Sequence, residues 1–178
     1  MPHADNTPDR ARRSMRPLLQ LWFTARGAVF LPSLLAGLDR EDRRAVLAGF
    51  RALSFVESWL RCSSRGFQGL TALARQVAGN AAHASPPDPL DVEVDQVVWG
   101  VRVASRCFPG AACLSEAFAA FLLLNGRNMR TTMVIGVSGQ RRRESFAHAW
   151  LESGDTLVAE SSAKARAYRP IMRIGGPA

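Results

Sequence analysis

A chain of 178 residues, 47% of them apolar, is long enough for one compact domain with an extension and has the apolar share of an ordinary globular protein. The formal charge of +8 is almost all arginine, with Lys164 the single lysine, and the arginines are scattered rather than gathered around aromatic residues, so the charge alone does not define a nucleic-acid-binding motif. Three cysteines (Cys62, Cys107, Cys113) without CxxC spacing, and His3 and His83 in polar flanks, exclude a conventional zinc site.

Residues 1–15 form a charged basic tail, expected to be disordered, with no signal peptide. The run from Leu18 to Leu38 is long enough to span a bilayer. Arg26 near its middle and Pro32 argue instead for a core helix broken at the proline, with interfacial membrane contact as the alternative. Residues 16–90 then read as a helical N-terminal region and linker. Asp39 is a candidate N-cap before an apolar face of Val46, Leu47, Phe50 and Leu53. The Pro-, Ala- and Asp-rich stretch from Gly79 to Asp91 marks the clearest boundary, and residues 91–178 form the second unit.

In this unit Val94, Val97, Val98 and Val101 recur at helical spacing from Asp91 to about Arg106, and "CFPG" ends the helix. A second helix opens at Cys113, with a wide apolar stripe of Leu114, Ala117, Phe118, Phe121 and Leu122, and Asn125-Gly126 closes it. The period then becomes alternating. Met133, Ile135 and Val137 lie on one side of a strand and Thr132 and Val134 on the other. Strands follow from about Ser145 to Glu152 and from Thr156 to Glu160, joined by a tight "SGD" turn. Arg141 to Arg143 fall in the turn before them, either as a solvated hairpin tip or as a site for an anionic partner. The fold class is α+β: a helical half, a helix bearing Cys, then an antiparallel meander bearing His.

This order permits nucleophilic catalysis. A helix N-terminus favours a thiolate and offers unpaired N–H groups to an oxyanion, which makes Cys113 the candidate nucleophile. His148, mid-strand with Phe146 and Trp150 on its face, is the candidate general acid/base. If Ser153, Gly154 and Asp155 form a three-residue loop, Glu152 pairs with Thr156, Trp150 with Val158 and His148 with Glu160, whose side chains would then be roughly 5 Å apart. Asp155 at the tip would be roughly 13 Å from His148 at strand spacing. Glu160 is thus preferred over Asp155 to orient the imidazole; a two-residue loop would move Glu160 to the other face and overturn this assignment. Glu116, one turn into the cysteine's helix, is a carboxylate that opposes a thiolate while complementing the helix dipole. Cys62 and Cys107 are expected in the core.

At these residues the sequence resembles the leader peptidases of lasso-peptide biosynthesis, the transglutaminase-like B proteins. The likeness rests on "CLSEAFAAFLLLNGRN", "VIGV", "FAHAWLE", Glu160 twelve residues after His148, and "YRP" at Tyr168 to Pro170, over roughly residues 90–171. It implies a transglutaminase/papain-like core in which Cys113, His148 and Glu160 form a triad. That triad would cut the precursor peptide between leader and core, without metal or organic cofactor, ahead of ring closure by a separate ATP-dependent cyclase. The family usually has a basic residue near position 116, where this chain has Glu116. Some members carry a fused leader-binding module with a three-stranded sheet. Residues 1–90 show no such run of strands, so a separate leader-recognition protein, taking the leader as an added strand, is expected. A cytoplasmic location, no nucleic-acid partner and no transmembrane span complete the expectation. Two alternatives remain: an acyltransferase using the same triad, and a non-catalytic, arginine-rich binding or adaptor protein.

Overall fold

A computed structural model describes residues 31–84, 92–138, 146–154, 156–158 and 162–176. The basic tail, the apolar run before residue 31, residues 85–91 and Arg141 to Arg143 lie outside the described residues.

Residues 31–35, Pro32 among them, are helical; helix α1 spans Arg40–Cys62 and helix α2 Gly66–Asn80. Asp39 caps α1 as expected: its carboxylate accepts from the N–H groups of Glu41 at 2.9 Å and Asp42 at 2.8 Å. The buried positions of α1, Ala45, Val46, Gly49, Leu53, Val56 and Glu57, recur at three- and four-residue spacing and form one stripe. Leu47 and Phe50 flank it half-buried.

Helix α3 spans Val92–Ser105 and buries Val94, Val97, Val98 and Val101, the four valines the spacing singles out. It crosses α1 at two glycines. A Cβ on Gly49 would lie 2.7 Å from the carbonyl oxygen of Gly100, so only hydrogen at these positions permits so close an approach. Helix α4, Cys113–Gly126, is apolar on nearly every side and takes the central place. It packs on α1, α2 and α3 and on the sheet. Phe118, Phe121 and Leu124 are fully buried, each contributing about 1.5–3 kcal/mol relative to exposure.

Four antiparallel strands follow: β1 Thr132–Val137, β2 Ala147–Ser153, β3 Thr156–Val158 and β4 Arg169–Ile174, in the order β3-β2-β1-β4. The short helix α5, Ser162–Arg166, leads into β4. The α+β architecture is the one expected. Met133, Ile135, Ala149, Leu151 and Ile174 face the helices, while Val134, Trp150, Ala165 and Tyr168 form a second, smaller cluster on the far face. Alternation of side chains along each strand produces this division.

Two differences from the sequence reading concern turns and edges. Arg169–Ile174 is a fourth strand beyond the expected three, at the sheet edge, where its proline is tolerated. The β2–β3 connection is a two-residue loop rather than a three-residue one, because Ser153 pairs with Thr156 and Leu151 with Val158. Gly154 takes φ +57°, a conformation suited to such a loop. This register sends both Leu151 and Val158 into the helical core at 4% exposure. The alternative would have turned Val158 to the opposite face.

The helix end at Asn125-Gly126 is secured differently from a glycine stop. Asn128, not Gly126, takes the left-handed conformation, at φ 60°. The buried Asn125 amide donates to the Thr131 hydroxyl at 2.7 Å and to the Phe121 carbonyl at 3.1 Å, tying the end of α4 to the start of β1.

Candidate active site

Cys113 is the first residue of α4, and Ala112 before it is the N-cap in extended conformation. The first helical bond runs from the Glu116 N–H to the Ala112 carbonyl at 3.1 Å. The N–H groups of Cys113, Leu114 and Ser115 therefore precede the intrahelical ladder. A serine, threonine or aspartate at position 112 would bond one of them and contribute about 1 kcal/mol, which alanine forgoes. The turn keeps its donors for another acceptor.

The half-buried Cys113 thiol approaches β2, its Sγ 4.0 Å from the Ala147 carbonyl oxygen. Cys113 and His148 line the same cavity, of about 380 Å³. Val98, Val101 and Leu151 supply apolar wall, and Arg102, Glu116 and Lys164 bring charge. Two cations thus share the cavity with the carboxylate that the sequence showed at Glu116. Neither Arg102 nor Lys164 carried a motif by which sequence reasoning could find it.

His148 is buried at 5% exposure, on the sheet face that also carries Val134 and Trp150. It stacks on Trp150 with ring centroids 6.0 Å apart and an interplanar angle of 25°. The second ring beside it is Tyr168, 5.1 Å away and itself buried, rather than Phe146, which is 69% exposed. The period-2 pattern identified the face and Trp150 in its wall, but Phe146 does not join it and Tyr168 does. "YRP" carries the only signal that could have pointed to Tyr168. The Trp150 indole N–H donates to Glu152 at 2.9 Å, and Glu152 is held in turn by Arg173. The imidazole thus rests on a ring that is itself anchored.

The third expected member fares differently. With Leu151 opposite Val158, the loop count that set Glu160 across from His148 no longer holds, and the register argument for Glu160 over Asp155 is withdrawn. Glu160 and Asp155 lie outside the described residues.

Of the other cysteines, Cys107 is buried at 3% exposure, and that burial pushes its thiol above the ordinary range, which keeps it protonated. Cys62, at the end of α1, is half-buried rather than a core residue. Among the described residues no helix is long and apolar enough to cross a membrane, and no group of three or more metal-binding side chains converges.

Cys113, at the uncapped start of α4, thus shares a cavity with the buried His148 of the adjacent antiparallel sheet. The profile of the transglutaminase-like superfamily matches residues 59–173, and the chain belongs to that superfamily. A domain of this kind fits a cysteine protease or an acyltransferase. Neither the curated proteins nor the solved structures yield a significant match.

Proposed function

We propose that the chain is a cysteine peptidase that removes the leader from a ribosomally synthesised lasso-peptide precursor. The observation that carries the thiol chemistry is the cavity shared by Cys113, at the uncapped start of α4, and His148. The motifs "CLSEAFAAF", "VIGV" and "FAHAWLE" carry the choice of substrate.

In this mechanism His148 takes the thiol proton and the Cys113 sulfur attacks the scissile carbonyl carbon. The first-turn N–H groups of α4 stabilise the oxyanion. Collapse breaks the C–N bond, with the proton passing from His148 to the departing amine, which is the new N-terminus of the core. Water, deprotonated by His148, then cleaves the thioester, and the leader leaves as a carboxylic acid. Glu160 orients the imidazole in this scheme, a role resting on the family resemblance alone. A separate leader-recognition protein delivers the precursor and an ATP-dependent cyclase consumes the core, all in the cytoplasm.

The test is mass spectrometry of a lasso-class precursor incubated with the chain and its recognition partner. Cleavage that disappears with Cys113→Ala or His148→Ala supports the reading, whereas full cleavage by folded Cys113→Ala overturns it. The superfamily assignment equally accommodates capture of the thioester by an amine. Product mass separates the two, because hydrolysis adds water and acyl transfer adds the amine.

A further inference from the structure

Behind the first turn of α4 stands a buried acid that the proposed chemistry leaves unused. Glu57 of α1 is 2% exposed, a place carboxylates rarely occupy without partners. It has two: the Ser115 hydroxyl donates to one oxygen, and the Arg61 Nε donates to the other at 2.6 Å. Arg61 reaches on to the loop before Cys113, its Nη2 lying 3.5 Å from the Pro109 carbonyl oxygen. Gly110, at φ +83°, closes that loop against the same guanidinium.

These contacts therefore connect α1 to both sides of Cys113: to the loop three and four residues before it and to the helix two residues after it. Ser115 is buried against α1, and two residues along a helix is more than half a turn, so this bond grips the side of α4 away from the cavity. A capping side chain at position 112 would also fix this turn, but only by occupying its N–H groups. The contact from Glu57 fixes it and leaves them available. Its carboxylate complements the positive helix end, and its pairing with Arg61 limits the net charge presented to the thiol.

We propose that Glu57, acting with Arg61 and Ser115, is a positioning residue that holds the first turn of α4 from behind. It sets Cys113 at the cavity while keeping the turn's donors for the substrate oxyanion. This rests on Cys113 being the nucleophile.

The experiment measures iodoacetamide alkylation of Cys113 against pH by peptide mass spectrometry, with circular dichroism confirming the fold of each variant. Among the described residues, the charged and titratable groups around Cys113 are Glu116 on its own helix, Arg102, His148 and Lys164 around the cavity, and the Glu57–Arg61 pair behind; only the last is altered. Glu57→Gln keeps an acceptor for Ser115 and should retain most of the wild-type rate at neutral pH. Glu57→Leu keeps none and should lose about tenfold or more, with an altered pH profile, since displacing a reacting group by about 1 Å costs up to a hundredfold. Should Glu57→Leu not fold, Ser115→Ala and Arg61→Met each remove one link and should each slow alkylation. A purely structural contact would lower thermal stability and leave the pH profile of Cys113 unchanged in the folded variants, and that result overturns the proposal. An inert Cys113 in the wild type brings down the nucleophile reading and this proposal with it. A reactive wild type with unaffected variants brings down this proposal alone.

Discussion

Gly136 and Trp150 share one space on the sheet: a Cβ at position 136 would sit 2.8 Å from the Trp150 ring edge and 3.0 Å from the Arg169 carbonyl oxygen. Gly136 is also the cross-strand partner of His148, so the missing side chain lets the indole lie beside the imidazole. Replacing Gly136 with alanine should push Trp150 away and cost about 1–3 kcal/mol, the usual penalty for overpacking. Urea denaturation measures the stability, and Cys113 alkylation measures the loss of an ordered base. Unchanged values for both would mean that the glycine leaves room for nothing.

The thiol and the imidazole should act as a pair. In the wild type Cys113 is expected to react with iodoacetamide ahead of Cys62 and Cys107, and to lose that advantage in His148→Ala. Cleavage of the precursor should vanish in both Cys113→Ala and His148→Ala without loss of the circular dichroism spectrum. Glu160→Ala should weaken it.

The elements that carry Cys113 and His148 were legible because each obeys a strong local rule. The valines of α3, the continuous apolar run of α4 and the alternation of β1 and β2 are periodic over long stretches. What was not legible depended on choices that periodicity does not make. "SGD" suits loops of two or three residues, and the burial of Leu151 and Val158 on the same face decided for two. Tyr168 and Glu57 are far in sequence from the residues they touch, His148 and Ser115, and no spacing rule joins them. β4 escaped because it contains Pro170 and exposes Ile171 at the sheet edge.

The α1–α3 crossing should be the least tolerant place in the helical layer. A Cβ on Gly100 would lie 2.5 Å from the Ala45 carbonyl oxygen, and one on Gly49 would meet the Gly100 backbone, so nothing flexible is available to yield. Gly100→Ala and Gly49→Ala each gain a few tenths to 1 kcal/mol in helix propensity. Separating two buried helices costs more, and a net loss of about 1–3 kcal/mol is expected. Gly79, with open space around it in α2, is the control: Gly79→Ala should leave stability unchanged or raise it. Thermal melts of the three variants check the contrast.

Cys107 should behave as the opposite of Cys113. Its thiol is raised by burial, so the folded chain holds the proton to higher pH than the unfolded chain does. The sign follows directly. Below the ordinary thiol pKa of about 8.5 both states are protonated and Cys107 has no pH effect on stability. As pH rises past that value the unfolded thiol ionises first, and stability falls until the folded pKa is passed. Cys107→Val should therefore flatten part of the alkaline slope seen in denaturation above about pH 8. In the native protein Cys107 should resist alkylation at pH 8 and react fully in denaturant, where all three cysteines become equivalent. Early labelling of Cys107 in the native state would mean that the Cys107–Phe108 segment opens locally, and since Arg61 bonds Pro109 in the adjoining loop, that opening would loosen the approach to Cys113 as well.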